Sequence, residues 1–190
     1  MTKNRTILVL AGVMLGMLLS ALDQTIVGTA MPRIVASLGG MSLYSWVATS
    51  YMLTATATMP IFGKLSDIYG HKRVFVLGLI VFMLGSILSG LSQSMEQLII
   101  FRGLQGLGAG SIMPVAIAII SDIFPPNQRG KFQGLMGGVF GLASVVGPAV
   151  GGYLTDNLSW HWVFFVNLPV GILAVVVLLV ALPALRASEQ

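Results

Sequence analysis

Six long apolar segments constrain the fold of this chain more than any other feature of its sequence. They cover residues 7–29, 43–62, 74–91, 97–124, 132–154 and 163–182. A helix needs about 20 apolar residues to cross a bilayer, and these segments are close to that length or longer. Only 8% of the residues are charged, against about 25% in soluble domains, so the chain cannot coat a water-facing surface. The sequence therefore predicts an all-α integral membrane protein with six transmembrane helices in one domain, residues 1–190.

Proline and polar residues mark the predicted ends of these helices. Pro32 is predicted to end the first helix, with residues 33–42 as a loop. Pro125 and Pro126 are predicted to end the fourth helix, because proline cannot continue a helix. Residues 127–131 are predicted to form a basic turn. Residues 160–162, with two Trp around His161, indicate an aromatic belt before the sixth helix. Residues 183–190 are predicted as a polar tail.

The distribution of Lys and Arg predicts the orientation of the helices. One set of helix ends holds eight basic residues, whereas the opposite loops hold only Arg33. The eight are Lys3, Arg5, Lys64, Lys72, Arg73, Arg129, Lys131 and Arg186. Because cytoplasmic loops are enriched in Lys and Arg, both termini are predicted to be cytoplasmic. The net charge of +4 is scattered among apolar segments, which argues against a nucleic-acid partner.

The segment 63–73 is predicted as a tight, charged loop between the second and third helices. Its glycines suit a close helix approach at Gly63 and a tight turn at Gly70. Its charged side chains are predicted to cluster with a carboxylate at the end of the fourth helix. The members of this cluster are Asp67, His71, Lys72, Arg73 and Asp122. Because histidine titrates near neutral pH, the charge of the cluster is expected to vary with cytoplasmic pH.

Apart from Asp122 at the cytoplasmic end of the fourth span, the formally charged side chains inside predicted spans are Asp23 and Arg102. A charge at the bilayer centre costs about 2.5–3.5 kcal/mol on insertion scales, so each is expected to face a partner or a cavity. Asp23 is either a cation attractor or protonatable group, or a structural residue hydrogen-bonded near the interface. Arg102 cannot lose its proton, so it either meets an anion or acceptors inside the membrane or snorkels to the outer interface.

The fifth segment carries small residues at helical spacing, with one proline among them. Glycines four residues apart let two helix backbones approach closely, and proline bends the helix axis. The pattern predicts close packing through Gly141, Gly147, Pro148, Gly151 and Gly152.

A weak internal repeat relates the two halves of the chain. A shift of 89 residues places residues 63–67 over residues 152–156, and residues 74–75 over residues 163–164. The shift maps helices one to three onto helices four to six, with the matching loops on opposite faces of the membrane. The predicted fold is therefore a 3+3 inverted repeat.

Four of these motifs resemble those of major facilitator superfamily transporters. They are the 63–73 loop, residues 22–27, residues 102–110 and the glycine pattern of helix five. Residues 22–27 resemble the fourteen-span drug:proton antiporters in particular, and the chain is similar to their N-terminal six-helix half. The resemblance implies one half of a major facilitator fold. His71 and His161 stand where the family usually has Arg, and Gly28 where it usually has Asn.

The resemblance also implies roles for individual residues. The resemblance links Arg102 to proton coupling and implies that Gln105 faces the central cavity of the transporter. It also implies that the glycines of helix five form the antiporter motif of the superfamily. Asp23, Arg102 and Gln105 form the expected substrate and proton-coupling site. The charged segment 63–73, together with Asp122, forms the expected gate. The implied function is proton-coupled export of hydrophobic, cationic drugs across the cell membrane by alternating access. The expected partners are membrane lipid, the substrate, protons, and a missing C-terminal half or a second chain, because the chain is expected to be a truncated half.

Alternatives from other classes stay open at this point. The chain could belong to an exporter or a symporter of a specific metabolite, or it could be a non-transporting regulatory half-transporter that binds a membrane partner. The sequence contains no Cys and shows no nucleophile–base pair and no metal-ligand cluster. Neither an enzyme, nor a cofactor, nor a metal site is therefore predicted.

Overall fold

A computed structural model describes residues 2–181, and this part of the chain is a bundle of helices. A short 3₁₀ turn, Met41–Leu43, links the first two helices. The α-helices in chain order are α1 (Lys3–Leu38), α2 (Tyr44–Tyr69), α3 (His71–Gly90), α4 (Met95–Ile123), α5 (Pro126–Asn157), α6 (Trp162–Phe165) and α7 (Asn167–Ala181). The all-α membrane fold that the sequence predicts is confirmed.

Five stretches within residues 2–181 are long and apolar enough to cross a membrane. They are α1, α3, α4, α5 and the stretch Trp162–Ala181, which joins α6 and α7. Helix α2 is 26 residues long, but Ser and Thr residues such as Thr54 and Thr58 dilute its apolar side chains. The count of six transmembrane helices therefore stays a prediction.

The predicted end of the first helix at Pro32 is wrong. Pro32 lies inside α1, which continues to Leu38. A proline removes one backbone hydrogen bond and bends a membrane helix without having to end it. The helix instead ends where Gly39 and Gly40 adopt φ values of 71° and 70°, in the left-handed region that favours glycine.

The predicted loop at 63–73 is also wrong, because both of its halves are helical. Helix α2 continues to Tyr69 and α3 begins at His71, which leaves Gly70 alone between them, with φ of 95°. The predicted basic turn at 127–131 likewise lies inside α5, since Pro126 occupies the first helical turn, where its missing N–H costs no bond. Hydrophilic residues here extend the helices beyond their apolar spans and do not interrupt them.

The sixth predicted segment is broken near its start, at Val166, which lies between α6 and α7. The predicted end of this segment at Leu182, Arg186 and the whole 183–190 tail lie outside the described residues. The predicted segments 74–91 and 97–124 differ from α3 and α4 by one to three residues at each end. The segment 132–154 lies within the longer α5.

Helix α4 packs between α2 and α3, while α1 packs against α5 and α7. Small residues allow these close approaches. A Cβ at Gly85 of α3 would lie 2.6 Å from the backbone of Gln105, and a Cβ at Gly106 would overlap the backbone of Tyr51. The close approach of α2, α3 and α4 brings the polar residues of α4 into the centre of the bundle.

Candidate functional site

A buried ion pair joins α1 to α4 at the centre of the bundle. Arg102 Nη1 donates to Asp23 Oδ2 at 2.5 Å, and the exposed fractions of the two residues are 0% for Asp23 and 2% for Arg102. The two residues are 79 positions apart in the sequence. Arg102 therefore meets an anion inside the bundle, and the alternative in which it snorkels to the interface does not apply.

Two amide side chains complete the surroundings of the Asp23 carboxylate. Gln105 Nε2 donates to Asp23 Oδ1 at 3.0 Å, and Asn167 Nδ2 donates to the same oxygen at 2.9 Å. Gln105 Oε1 in turn accepts from Arg102 Nη1 at 2.8 Å. Asp23 thus accepts three hydrogen bonds from three different side chains, an arrangement that satisfies an ionised carboxylate.

A chain of hydrogen bonds continues from this site to the break between α6 and α7. Asn167 Nδ2 donates to Ser86 Oγ at 2.9 Å, and Ser86 Oγ donates to the carbonyl of Phe164 at 2.7 Å. Phe164 lies two residues before Val166, where the helix is interrupted. The polar network, defined as Asp23, Arg102, Gln105, Asn167 and Ser86, therefore connects α1, α3, α4 and α7 and reaches α6.

Tyr51 of α2 covers the other side of the Arg102 guanidinium. The guanidinium carbon lies 4.3 Å from the centre of the Tyr51 ring, a cation–π distance. The Tyr51 hydroxyl lies 3.3 Å from Ser20 Oγ of α1. Beside Tyr51 lies a cavity of about 270 Å³ between α1 and α2, and Arg102 forms part of its wall. This volume suits a fragment-sized molecule.

Local helix geometry places these side chains together. Arg102 and Gln105 are three residues apart on α4, so they share one face of that helix, and the same spacing puts Ser20 and Asp23 on one face of α1. Asn167 is the first residue of α7, directly after the break. The missing side chain at Gly85 lets the backbone of α3 approach Gln105.

The sequence singled out Asp23, Arg102 and Gln105, which the structure brings together, but it did not single out Asn167, Ser86 or Tyr51. One signal could have found Asn167. It is the only Asn, Gln or charged residue in the apolar stretch 163–182, and such residues in spans normally have a polar partner. Ser86 and Tyr51 carry no comparable signal, because single Ser and Tyr residues are common in membrane helices.

A second polar cluster lies where α2 meets α3, away from this network. His71 Nδ1 lies 2.6 Å from Asp122 Oδ2, and His71 Nε2 lies 3.3 Å from Asp67 Oδ1. A neutral imidazole has one N–H, whereas both carboxylates accept, so both contacts are hydrogen bonds only when the ring is protonated. The predicted partners Lys72 and Arg73 lie in the first turn of α3.

The glycines of this region do not all have the predicted role. A Cβ at Gly63 would meet no atom within 4 Å, so among the described residues no helix approaches closely there. Gly70 does make the tight turn, with φ of 95°. The predicted close approach at Gly63 is therefore wrong within residues 2–181.

The glycine motif of α5 divides into two faces. A Cβ at Gly147 would overlap Thr25 of α1, and a Cβ at Gly151 would lie 3.0 Å from the Ile26 carbonyl oxygen. Gly141 and Gly152 face open space, with no described atom within 4 Å of an added Cβ, and Pro148 lies inside the helix. The packing face of the motif thus rests on α1, the helix that carries Asp23.

No group of three His, Asp or Glu side chains within the described part of the chain is arranged to hold a metal ion. The polar network consists of one carboxylate, one guanidinium, two amides and a hydroxyl. Groups of this kind can exchange hydrogen-bond partners and, at the carboxylate, a proton.

The fold is that of membrane transport proteins of known structure. A D-xylose-proton symporter superposes with a TM-score of 0.80 at 14% identity, covering 97% of this chain and 52% of that one. The human organic anion transporter MFSD10 superposes with a TM-score of 0.76 at 20% identity, covering 94% of this chain and 48% of that one. At these identities the likeness shows the fold alone.

The family is shown by sequence. The model of the Major Facilitator Superfamily matches residues 13–190, and the chain belongs to this superfamily of multi-pass membrane proteins. It is 55% identical to "Multidrug resistance protein 3" of Bacillus subtilis over 87% of this chain. It is 53% identical to "Multidrug transporter protein MdtP" of the same organism over 92% of this chain. In both comparisons the chain spans 32% of the length of the relative.

Proposed function

We propose that this chain contributes a six-span unit to a proton-coupled exporter of hydrophobic compounds in the cell membrane. A relative at 55% identity is named a multidrug resistance protein, and one at 53% identity is named a multidrug transporter. A fungal relative at 38% identity is named an efflux pump. The single observation that supports proton coupling is that the Asp23 carboxylate is buried and accepts hydrogen bonds from three side chains. The transport cycle is alternating access between the two sides of the membrane, with no covalent step.

Asp23 is the proposed proton carrier, because it is the one member of the polar network with a carboxylate oxygen that can bind a proton. Arg102 stays protonated, and the amides of Gln105 and Asn167 do not titrate. All three neighbours donate to Asp23, so a protonated carboxyl would direct its own O–H at groups that are already donors. Proton binding therefore weakens the network.

This weakening supplies the conformational switch. With Asp23 ionised, the network ties α1 to α4 and α7, and through Ser86 to α3. Proton uptake at Asp23 weakens these ties and lets the helices separate. The driving force is sufficient in principle, because one charge crossing 100 mV gains about 2.3 kcal/mol and one pH unit adds about 1.4 kcal/mol.

The proposed topology has six spans and cytoplasmic termini. The Lys and Arg distribution supports it, and so does the pattern of helix packing. The pair α1–α5 corresponds to the pair α4–α2, as expected if a 3+3 repeat exchanges the two groups of three helices. Single cysteines at Ser42, Ser94 and Asn157 should react with an impermeant thiol reagent added outside intact cells. Reaction only after the cells are opened would contradict this topology.

Drug-driven proton release from inverted vesicles tests the coupling. The vesicles should carry the complete gene product that contains this chain, expressed with Asp23→Asn, with Arg102→Ala or without substitution. We expect Asp23→Asn to abolish proton release while the protein stays folded, because asparagine keeps the size of the side chain and cannot take up a proton. Asp156→Asn is the matched control, since its carboxylate is exposed and pairs with Arg33 at 3.3 Å.

Wild-type proton release in Asp23→Asn would overturn the role of Asp23. Loss of release in the Asp156→Asn control would show that the assay reports damage to the fold. Arg102→Ala leaves a buried carboxylate without its cation, so expression and thermal stability are measured beside transport for that variant.

A further inference from the structure

The cavity between α1 and α2 has one charged residue among the described residues of its wall, and that residue is a cation. Arg102 lines the cavity, whereas Asp23 does not. Asp23 has no exposed surface, and its carboxylate already accepts hydrogen bonds from three donors. A molecule in the cavity therefore contacts Arg102 and does not contact Asp23. The expectation that Asp23 attracts cationic substrates finds no support in this geometry.

Arg102 also has one N–H group without a hydrogen-bond acceptor among the described residues. Its Nη1 is used by Asp23 and Gln105, but its Nε is buried and has no hydrogen-bond partner among the described residues. A buried N–H without an acceptor is unfavourable. Guanidinium N–H groups bind carboxylates more strongly than neutral acceptors, because both charges contribute.

Most of the remaining residues of the cavity wall have apolar or aromatic side chains. Val27 and Met31 of α1 face Tyr51 and Met52 of α2 across the space. Methionine side chains are flexible and polarisable, so such a wall adapts to ligands of different shape. The Tyr51 ring, which already supports the guanidinium, offers an aromatic surface next to the charged group.

We propose that this cavity binds hydrophobic molecules that carry a carboxylate, with the carboxylate on Arg102 and the apolar body between α1 and α2. The inference deepens the proposed function, on which it rests, by naming the class of substrate that the exporter would take. A hydrophobic cation of the same size would place its charge against Arg102 and would bind more weakly.

Two probes with the same apolar body separate these cases. The 190-residue chain is placed in nanodiscs of neutral lipid, and binding of 2-naphthoate and of 2-naphthylmethylammonium is measured by equilibrium dialysis against empty nanodiscs. We expect naphthoate to bind about tenfold more tightly or better, since one charge-assisted hydrogen bond supplies at least that factor. Equal affinities, or tighter binding of the ammonium probe, would overturn the proposal.

Substitutions on the cavity wall test the location without touching Arg102. Gln24 lines the cavity and is exposed, so Gln24→Glu adds a carboxylate of the same shape. We expect it to weaken naphthoate binding and to strengthen binding of the ammonium probe. Gly28→Leu should exclude both probes, because Gly28 lines the cavity and an added Cβ meets no atom within 4 Å. Unchanged binding of both probes in both variants would show that the site lies elsewhere.

Gly134→Leu is the matched control, since it also meets open space but lies on α5, away from the cavity. Its probe binding should equal that of the wild type, and a loss equal to that of Gly28→Leu would overturn the assigned location. Drug-driven proton release by the complete gene product tests the proposed function separately. If no proton release is seen but naphthoate still binds selectively, the proposed export function is wrong and the proposed binding site is supported.

Discussion

Replacing Gly147 with alanine measures how closely α5 must approach α1. A Cβ at Gly147 would lie 2.6 Å from Thr25 Cβ and would overlap its hydroxyl. That hydroxyl donates to the carbonyl of Ala143 on α5 at 3.2 Å and also contacts the carbonyl of Leu22 at 3.0 Å. The added methyl group must therefore move either the side chain of Thr25 or the whole of α5.

The magnitude follows from these contacts. Overpacking a tight contact costs about 1–3 kcal/mol, and a lost interhelical hydrogen bond in a membrane protein costs about 0.6 kcal/mol. Alanine offsets up to about 1 kcal/mol through its higher helix propensity. We expect Gly147→Ala to lower the free energy of unfolding by roughly 1–3 kcal/mol. Gly147→Leu and Gly151→Leu should lower it further, because a larger side chain must displace more of α1.

Equilibrium unfolding of the chain in mixed micelles with increasing SDS, followed by circular dichroism, gives this free energy. Gly152→Ala is the matched control, because it adds the same methyl group to the same helix where no described atom lies within 4 Å. In the background of Thr25→Ala, which removes the obstructing hydroxyl, Gly147→Ala should cost less. If Gly147→Ala unfolds at the same SDS fraction as Gly152→Ala, the close contact between α1 and α5 is refuted.

Three further predictions use the same unfolding measurement. Asn167→Leu should cost about 1–2 kcal/mol, because Asp23 loses a donor inside the bundle, whereas Asn157→Leu, at an exposed amide, should cost less than half as much. His71→Ala should cost less than about 1 kcal/mol, because the carboxylates beside it are mostly exposed; a loss above twice that value would contradict this. Burial lowers the pKa of His161 below its ordinary value, so the unfolded chain gains a proton first as the pH falls below about 6.5. The wild type should therefore lose more stability between pH 7.5 and 5.5 than His161→Gln does, and equal losses would contradict the partial burial of this ring.

The helices could be predicted from the sequence because apolar runs of bilayer length leave a membrane-spanning helix as the default structure. Helix ends were harder to predict. Pro32 and the charged residues of 63–73 are signals for loops in soluble proteins, yet both lie largely within helices. Gly39 and Gly70 proved better markers, because their positive φ values mark positions that other residues rarely adopt.

The polar network could be predicted only as separate residues. The cost of a charge in the membrane shows that Asp23 and Arg102 each need a partner, but it does not show that each is the partner of the other. Their contact depends on the packing of α1 against α4, and the contact of Asn167 with Asp23 joins residues 144 positions apart. Asn167 is also uncharged, so composition gives it little weight although it donates to the carboxylate.

The sign of a lone charge in a sequence is a poor guide to the charge of a ligand, and this site shows why. Read alone, Asp23 predicts an attraction for cations. In the bundle, its carboxylate is neutralised by Arg102 and saturated by two amides, while Arg102 keeps an unpartnered Nε and a place on the cavity wall. A ligand binds to the group whose hydrogen-bonding capacity remains after internal pairing, and on this cavity wall that group belongs to Arg102. The expected ligand therefore changes from a cation to a carboxylate although no residue in the site has changed.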